Sequence, residues 1–173
     1  MAAEGKEEPR WQPLESNPDV LNKFMNAVGG NADLAWHDVF GLDPELLMML
    51  PQPIHAMMLL FPMTEKSAAA AKAQEDAGSQ ICDKVPENVF YMKQKVGNAC
   101  GTIGVLHCLA NFKTEGLQEG SWMKTFVDST QDKSPEERGD FFAGDSKIKE
   151  LHEAHVSGGD NATAAVDDVD NHF

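Results

Sequence analysis

Residues 54–63 read IHAMMLLFPM, an apolar run held between prolines at its two ends. It is far too short for the ~20 residues that cross a bilayer. Nor does it alternate as a half-exposed strand would, so it reads as a strand buried on both faces, the interior strand of a covered sheet. A strand of that kind needs flanking strands and helices on either side, which makes the expected class α/β with helices around a central sheet. The 173 residues suffice for one domain with its own core.

The helices around it are legible from their boundaries. Asn17 can cap a helix with Pro18 in its first turn, and Leu21, Phe24, Met25 and Val28 then recur at helical spacing before Gly29 and Gly30. Asp43–Pro44 opens a short helical turn closed before Pro51. From Asn98, taken as the cap, NACGTIGVLHCLANF carries Ile103, Leu106, Leu109, Ala110 and Phe112 spaced for a helix buried almost all round. Ser121 caps WMKTFVDST, where Trp122 and Phe126 stack at i, i+4. Ser134, Pro135 and Glu137 form a capping box, and DSKIKELHEAH continues helical. Residues 67–86, rich in alanine and charge, read as a surface connection able to hold a short exposed helix. The Gly-, Asp- and Ala-rich stretch from residue 155 to 170 reads as a long loop.

Fourteen Lys and Arg against 28 Asp and Glu give a net charge of −14. That argues against nucleic acid or an anionic membrane as partner and suits a basic one, or solubility alone. The acidic start, MAAEGKEEPR, lacks the apolar core of a signal peptide. Three cysteines (Cys82, Cys100 and Cys108) with no metal-ligand spacing point to a reducing cytosol or nucleus.

Cys100 stands apart from the other two. It falls where a helix begins, and a helix N-terminus favours thiolate through its dipole and free N–H groups. Gly101 and Gly104 each cost roughly 1 kcal/mol in a helix interior relative to alanine, a cost that fits a close approach of neighbouring backbone or substrate. Taken alone, a cysteine on an apolar helix is more often a small core residue than a nucleophile.

The segment VFYMKQKVGNACGTIGVLHCLAN resembles the active-site segment of the ubiquitin carboxyl-terminal hydrolases of the short, single-domain type. RWQPLESNP, FGLDPELLMMLPQP, LLFPMTEK, SPEERGDFF and VDNHF extend the resemblance in order along nearly the whole chain. It implies a papain-like cysteine hydrolase fold and a deubiquitinating thiol hydrolase that acts without a cofactor. Such an enzyme cleaves ester, thioester or amide adducts after the last glycine of ubiquitin. Cys100 matches the nucleophile, Gln94 the oxyanion donor and His172 the general base and acid. Residues 155–170 match a crossover loop over the active site that selects small or flexible adducts. The ubiquitin-contacting positions are Pro13, Leu14, Glu15, Ser16, Asn17 and Pro18, with His155, Val156, Ser157, Gly158, Gly159, Asp160, Asn161 and Ala162. The expected partner is ubiquitin, bound by a cytoplasmic monomer.

The family's pattern continues past the histidine, into strands that complete the sheet and an aspartate that orients the imidazole. These have no counterpart in residues 1–173, read as a single, incomplete domain. Ile54, Met57, Met58, Leu59, Leu60 and Phe61 are then expected to face water or makeshift contacts. Four or five such side chains left bare cost roughly 6–15 kcal/mol. The sequence therefore also admits a ubiquitin-binding protein without turnover, or a non-functional fragment.

Overall fold

In the computed structural model, residues 9–62, 64–76, 86, 88–112 and 116–156 are described, together with the backbone of 171–172. Among these, seven helices and one two-residue strand pair form: α1 (Pro18–Val28), α2 (Pro44–Leu47), β1 (Phe61–Pro62), α3 (Glu65–Asp76), α4 (Cys100–Asn111), α5 (Trp122–Thr130), α6 (Pro135–Gly144), α7 (Ser146–Val156) and β2 (Asn171–His172). The fold is mostly helical.

The helix boundaries follow local chemistry. Asn17 Oδ1 accepts from the Asp19 N–H at 2.9 Å, Pro18 occupies the first turn, and Gly29 ends α1 in the left-handed region at φ 105°. Ser121 Oγ accepts from the Lys124 N–H to start α5, and Ser134 and Glu137 complete the reciprocal box that starts α6. Asp145 separates α6 from α7: its Oδ1 accepts from the N–H groups of Lys147 and Ile148, while its Oδ2 accepts from Trp122 Nε1 at 2.9 Å. One carboxylate thus caps α7 and ties it to α5.

The buried face of α1 (Val20, Leu21, Phe24, Met25, Val28) packs against α7. The core continues through Trp11, Leu14, Met92, Val96, Ile103, Leu106, Met123, Phe126, Phe142 and Ile148. At about 1.5–3 kcal/mol for each large side chain removed from water, this cluster supplies the main cohesive force of the fold. His152, fully buried, lies inside it. Its Nε2 donates to the Gln12 carbonyl at 2.7 Å, which leaves Nδ1 to accept from Thr102 Oγ1, also at 2.7 Å, and its ring lies against Trp11. A single neutral imidazole therefore joins α7, the first turn of α4 and the N-terminal segment.

The central sheet expected from the sequence is not formed among the described residues. Residues 54–60 are neither helix nor strand, and the only pairing of the run is Phe61 with His172 and Pro62 with Asn171, antiparallel. A ladder needs partners on both sides, and here one two-residue partner is present. Ile54, Met57, Leu59, Leu60 and Phe61 are accordingly exposed, Leu59 at 74%, whereas Met58 turns in against the core. Among the described side chains of α3, all but the half-buried Ser67 are exposed. The chain has no described helix long and apolar enough to cross a membrane.

Burial holds the imidazoles of His107 and His152 below the usual histidine range. The unfolded chain therefore binds more protons than the folded one between the depressed values and about 6.5. Stability from this source is complete above about pH 6.5 and is lost as pH falls through the folded values. Melts recorded from pH 7.5 down to 5.5 are expected to hold to about pH 6.5 and then shift lower. His152→Leu should flatten that slope and cost about 2–4 kcal/mol at neutral pH, because the Thr102 hydroxyl loses its buried partner.

Candidate active site

α4 begins at Cys100, but not through the expected cap. Ala99 holds the cap position and offers no side-chain bond, while Asn98 sits just before it in the left-handed region at φ 62°. A capping role needs extended backbone with the side chain turned over the first N–H groups, and the Asn98 backbone is turned the other way. The consequence is chemical. The first turn of α4 has Cys100, half-buried, as its first residue, and helix N-terminal N–H groups point toward an anion placed at the helix start.

At 100° per residue, Cys100, Gly104, His107 and Asn111 fall on one stripe of α4. Two chain segments flank that stripe. On one side lies residues 90–96. Asn111 grips Phe90 twice, its Oδ1 accepting from the Phe90 N–H and its Nδ2 donating to the Phe90 carbonyl, both at 2.8 Å. The Met92 N–H donates to His107 Nε2 at 3.1 Å, and the Tyr91 ring stacks on the same imidazole. This segment carries Gln94, which is exposed; one N–H of its side-chain amide donates to the Val96 carbonyl at 2.9 Å and the second N–H remains for another acceptor.

α6 holds the same segment from outside. The Lys93 N–H donates to the Pro135 carbonyl, Lys93 and Glu136 form an ion pair, and Arg138 donates to Tyr91 O while lying over the Phe90 ring. Arg138 also donates to the carbonyls of Thr130 and Gln131 at the end of α5. Gly139 faces the Lys93 carbonyl so closely that an added methyl would overlap it.

On the other side of the stripe runs the exposed apolar segment. The His55 ring meets Phe112 at the far end of α4, with 4.1 Å between centroids, and a methyl built on Gly104 would stand 2.6 Å from Met58 Sδ. The segment therefore runs against the helix direction. Three extended residues cover about 10 Å, close to the roughly 12 Å between helix positions 104 and 112. Three residues beyond Met58, Phe61 pairs with His172. A groove of about 470 Å³ opens at the end of α4 opposite Cys100, beside Cys108, Leu109 and Phe112. Residues 33–39 and 50–60 line most of it.

The family model for ubiquitin carboxyl-terminal hydrolase, family 1, matches residues 11–173. The chain belongs to this family. It is 44% identical to ubiquitin carboxyl-terminal hydrolase 3 of Arabidopsis thaliana over 175 aligned positions, covering 99% of this chain and 73% of that protein. With human isozyme L1 the identity is 37%, over 94% of this chain and 71% of the relative. The catalytic domain of Trichinella spiralis UCH37, solved bound to ubiquitin vinyl methyl ester, shares the fold at a TM-score of 0.70 and 23% identity, covering 96% of this chain and 68% of that one. Family membership thus includes thiol-hydrolase relatives longer than this chain.

The expected partner-contacting residues divide. Leu14, at 3% exposure, belongs to the core. Asn17 is engaged in capping and Pro18 is the first residue of α1, while Ser16 is exposed and Pro13 and Glu15 are half-buried. His155 and Val156 are the last residues of α7 rather than the start of a loop, and His155 Nδ1 donates to the Leu151 carbonyl at 2.6 Å. Ser157, Gly158, Gly159, Asp160, Asn161 and Ala162, with the rest of the expected crossover loop and Cys82, lie outside the described residues.

Gly139→Ala tests the clamp on residues 90–96. In an ordinary helix interior the change gains about 1 kcal/mol. Here the overlap with a backbone oxygen, which cannot rotate away, is expected to dominate and lower stability by about 1–3 kcal/mol, read from chemical denaturation. Gly104→Ala, which meets only a flexible thioether, should be close to neutral in the same measurement.

Proposed function

We propose that this chain hydrolyses ester, thioester or amide adducts after the C-terminal glycine of ubiquitin. Cys100 is the nucleophile, His172 the general base and acid, and Gln94 the oxyanion donor. The Cys100 sulfur attacks the carbonyl carbon as its proton passes to the His172 imidazole. The carbonyl oxygen takes up negative charge facing the Gln94 amide and the first N–H groups of α4. Collapse of this intermediate expels the alcohol, thiol or amine, which leaves with the proton from His172, and ubiquitin remains as a thioester on Cys100. Water, deprotonated by His172, then repeats the cycle in the second step and frees the ubiquitin carboxylate.

The single observation that supports this most is the stripe on α4. The helix that begins at Cys100 contacts the Gln94-bearing segment through His107 and Asn111, and through Gly104 it contacts the segment whose end pairs with His172. Ubiquitin as partner is consistent with the ubiquitin-bound state of the structural relative, and the net charge of −14 suits the basic, arginine-bearing tail of ubiquitin. Small or flexible adducts are the substrates that a crossover loop over the site would pass.

The test is a ubiquitin probe with a C-terminal electrophile, followed by turnover of a ubiquitin C-terminal ester. Labelling should occur at one site and vanish in Cys100→Ala. Gln94→Ala should lower kcat by about two to three decades, with little change in KM. Binding of ubiquitin without labelling would replace the hydrolase by a ubiquitin-binding protein, and neither binding nor labelling would refute both.

A further inference from the structure

The Gln94-bearing segment is held by α4 through an acceptor that the resemblance does not assign. Among residues 90–93, the Phe90 N–H goes to Asn111, the Met92 N–H to His107 Nε2, and the Lys93 N–H to Pro135 O. The Met92 bond is the contact nearest Gln94 that comes from the thiol's own helix. Met92 is itself buried at 1% exposure, so its N–H has no water to turn to if that acceptor is lost. Tyr91, stacked on the same ring at 5.2 Å, fixes the imidazole plane. The bond also dictates a tautomer: Nε2 must be bare and Nδ1 must carry the proton.

We infer that His107 is a positioning residue, whose Nε2 fixes the register of residues 91–94 on α4 and so sets the place of the Gln94 amide relative to Cys100. The inference rests on the oxyanion role proposed for Gln94. It assigns His107 no contact with substrate; the imidazole acts only through the Met92 N–H. A residue i+7 from the nucleophile then couples the two halves of the oxyanion machinery across a single backbone bond.

The experiment compares His107→Leu, which keeps bulk but has no acceptor, with His107→Gln, whose side-chain oxygen can take the Met92 N–H. Both are made in the 173-residue chain. Amide hydrogen exchange should accelerate in His107→Leu at residues 91–94, with α1 and α5 unaffected, and return in His107→Gln. Hydrolysis of the ubiquitin ester should fall about 10- to 100-fold in kcat in His107→Leu, within the range for a misplaced oxyanion donor. Alkylation of Cys100 by iodoacetamide, a displacement that develops no oxyanion, should stay unchanged. Placed on a Gln94→Ala background, His107→Leu should lose nothing more.

Unchanged exchange at Met92, an equal loss in His107→Gln, or an additive loss on the Gln94→Ala background would overturn the inference. If Gln94→Ala itself hydrolyses normally, or the native chain turns over no ester, the failure belongs to the oxyanion assignment. The exchange result then decides alone: acceleration confined to 91–94 upholds the His107 anchor, and its absence removes it.

Discussion

The arrangement depends on one stripe of α4 being narrow enough for two chain segments to lie along it. Gly104 makes the approach possible on one side, where Met58 stands over the position a side chain would fill. His107 and Asn111 supply the polar grip on the other, meeting backbone groups of residues 90 and 92 that would otherwise be unpaired near the core. Because Cys100 begins the same helix, its place is set by the same contacts. Thr102, one turn in, is fixed in turn by the buried His152, so the start of α4 is anchored from α7 as well. Buried polar bonds of this kind are costly when broken, which makes them effective at fixing register.

Geometry and cohesion are supplied by different parts of the chain. The helical side is closed: α1, α4, α5, α6 and α7 enclose Phe24, Leu106, Phe126, Phe142 and Ile148 with little or no exposure. The side facing residues 54–61 is open, and large apolar side chains stand in water there. The relatives, of which this chain covers about 73% and 71% in the two cases quoted, contain further chain that these residues do not. Cys100 begins a helix of the closed side, and the His172 backbone pairs with the open one.

Much of this is legible in the residues themselves. Caps such as Asn17, Ser121 and Ser134 announce α1, α5 and α6 because a side-chain oxygen near the first N–H groups is a local event. The expected cap at Asn98 fails because the preference of asparagine for caps and for left-handed backbone is the same short amide serving two geometries. The interior strand at 54–63 fails for a different reason. Its hydrophobicity states what it needs to touch, but strand pairing depends on distant chain that composition cannot supply. That Leu14 belongs to the core is not legible from the motif, because a motif match carries no information on which way each side chain turns. The motif match assigns no role to His107, Asn111 or Arg138; for the first two, at i+7 and i+11 from Cys100, polar residues on the thiol's stripe of an otherwise apolar helix are the available signal.

Convergence of positions 100 and 172 is what the account most needs, and a short bis-thiol crosslinker measures it directly. In a chain with Cys82 and Cys108 replaced by serine and His172 by cysteine, native protein should yield one crosslinked peptide joining Cys100 to position 172, and denatured protein none. Efficient single-ended labelling of both thiols with no joined peptide in the native state would show that the helix start and the β2 backbone stay apart, and the proposed chemistry would have no base.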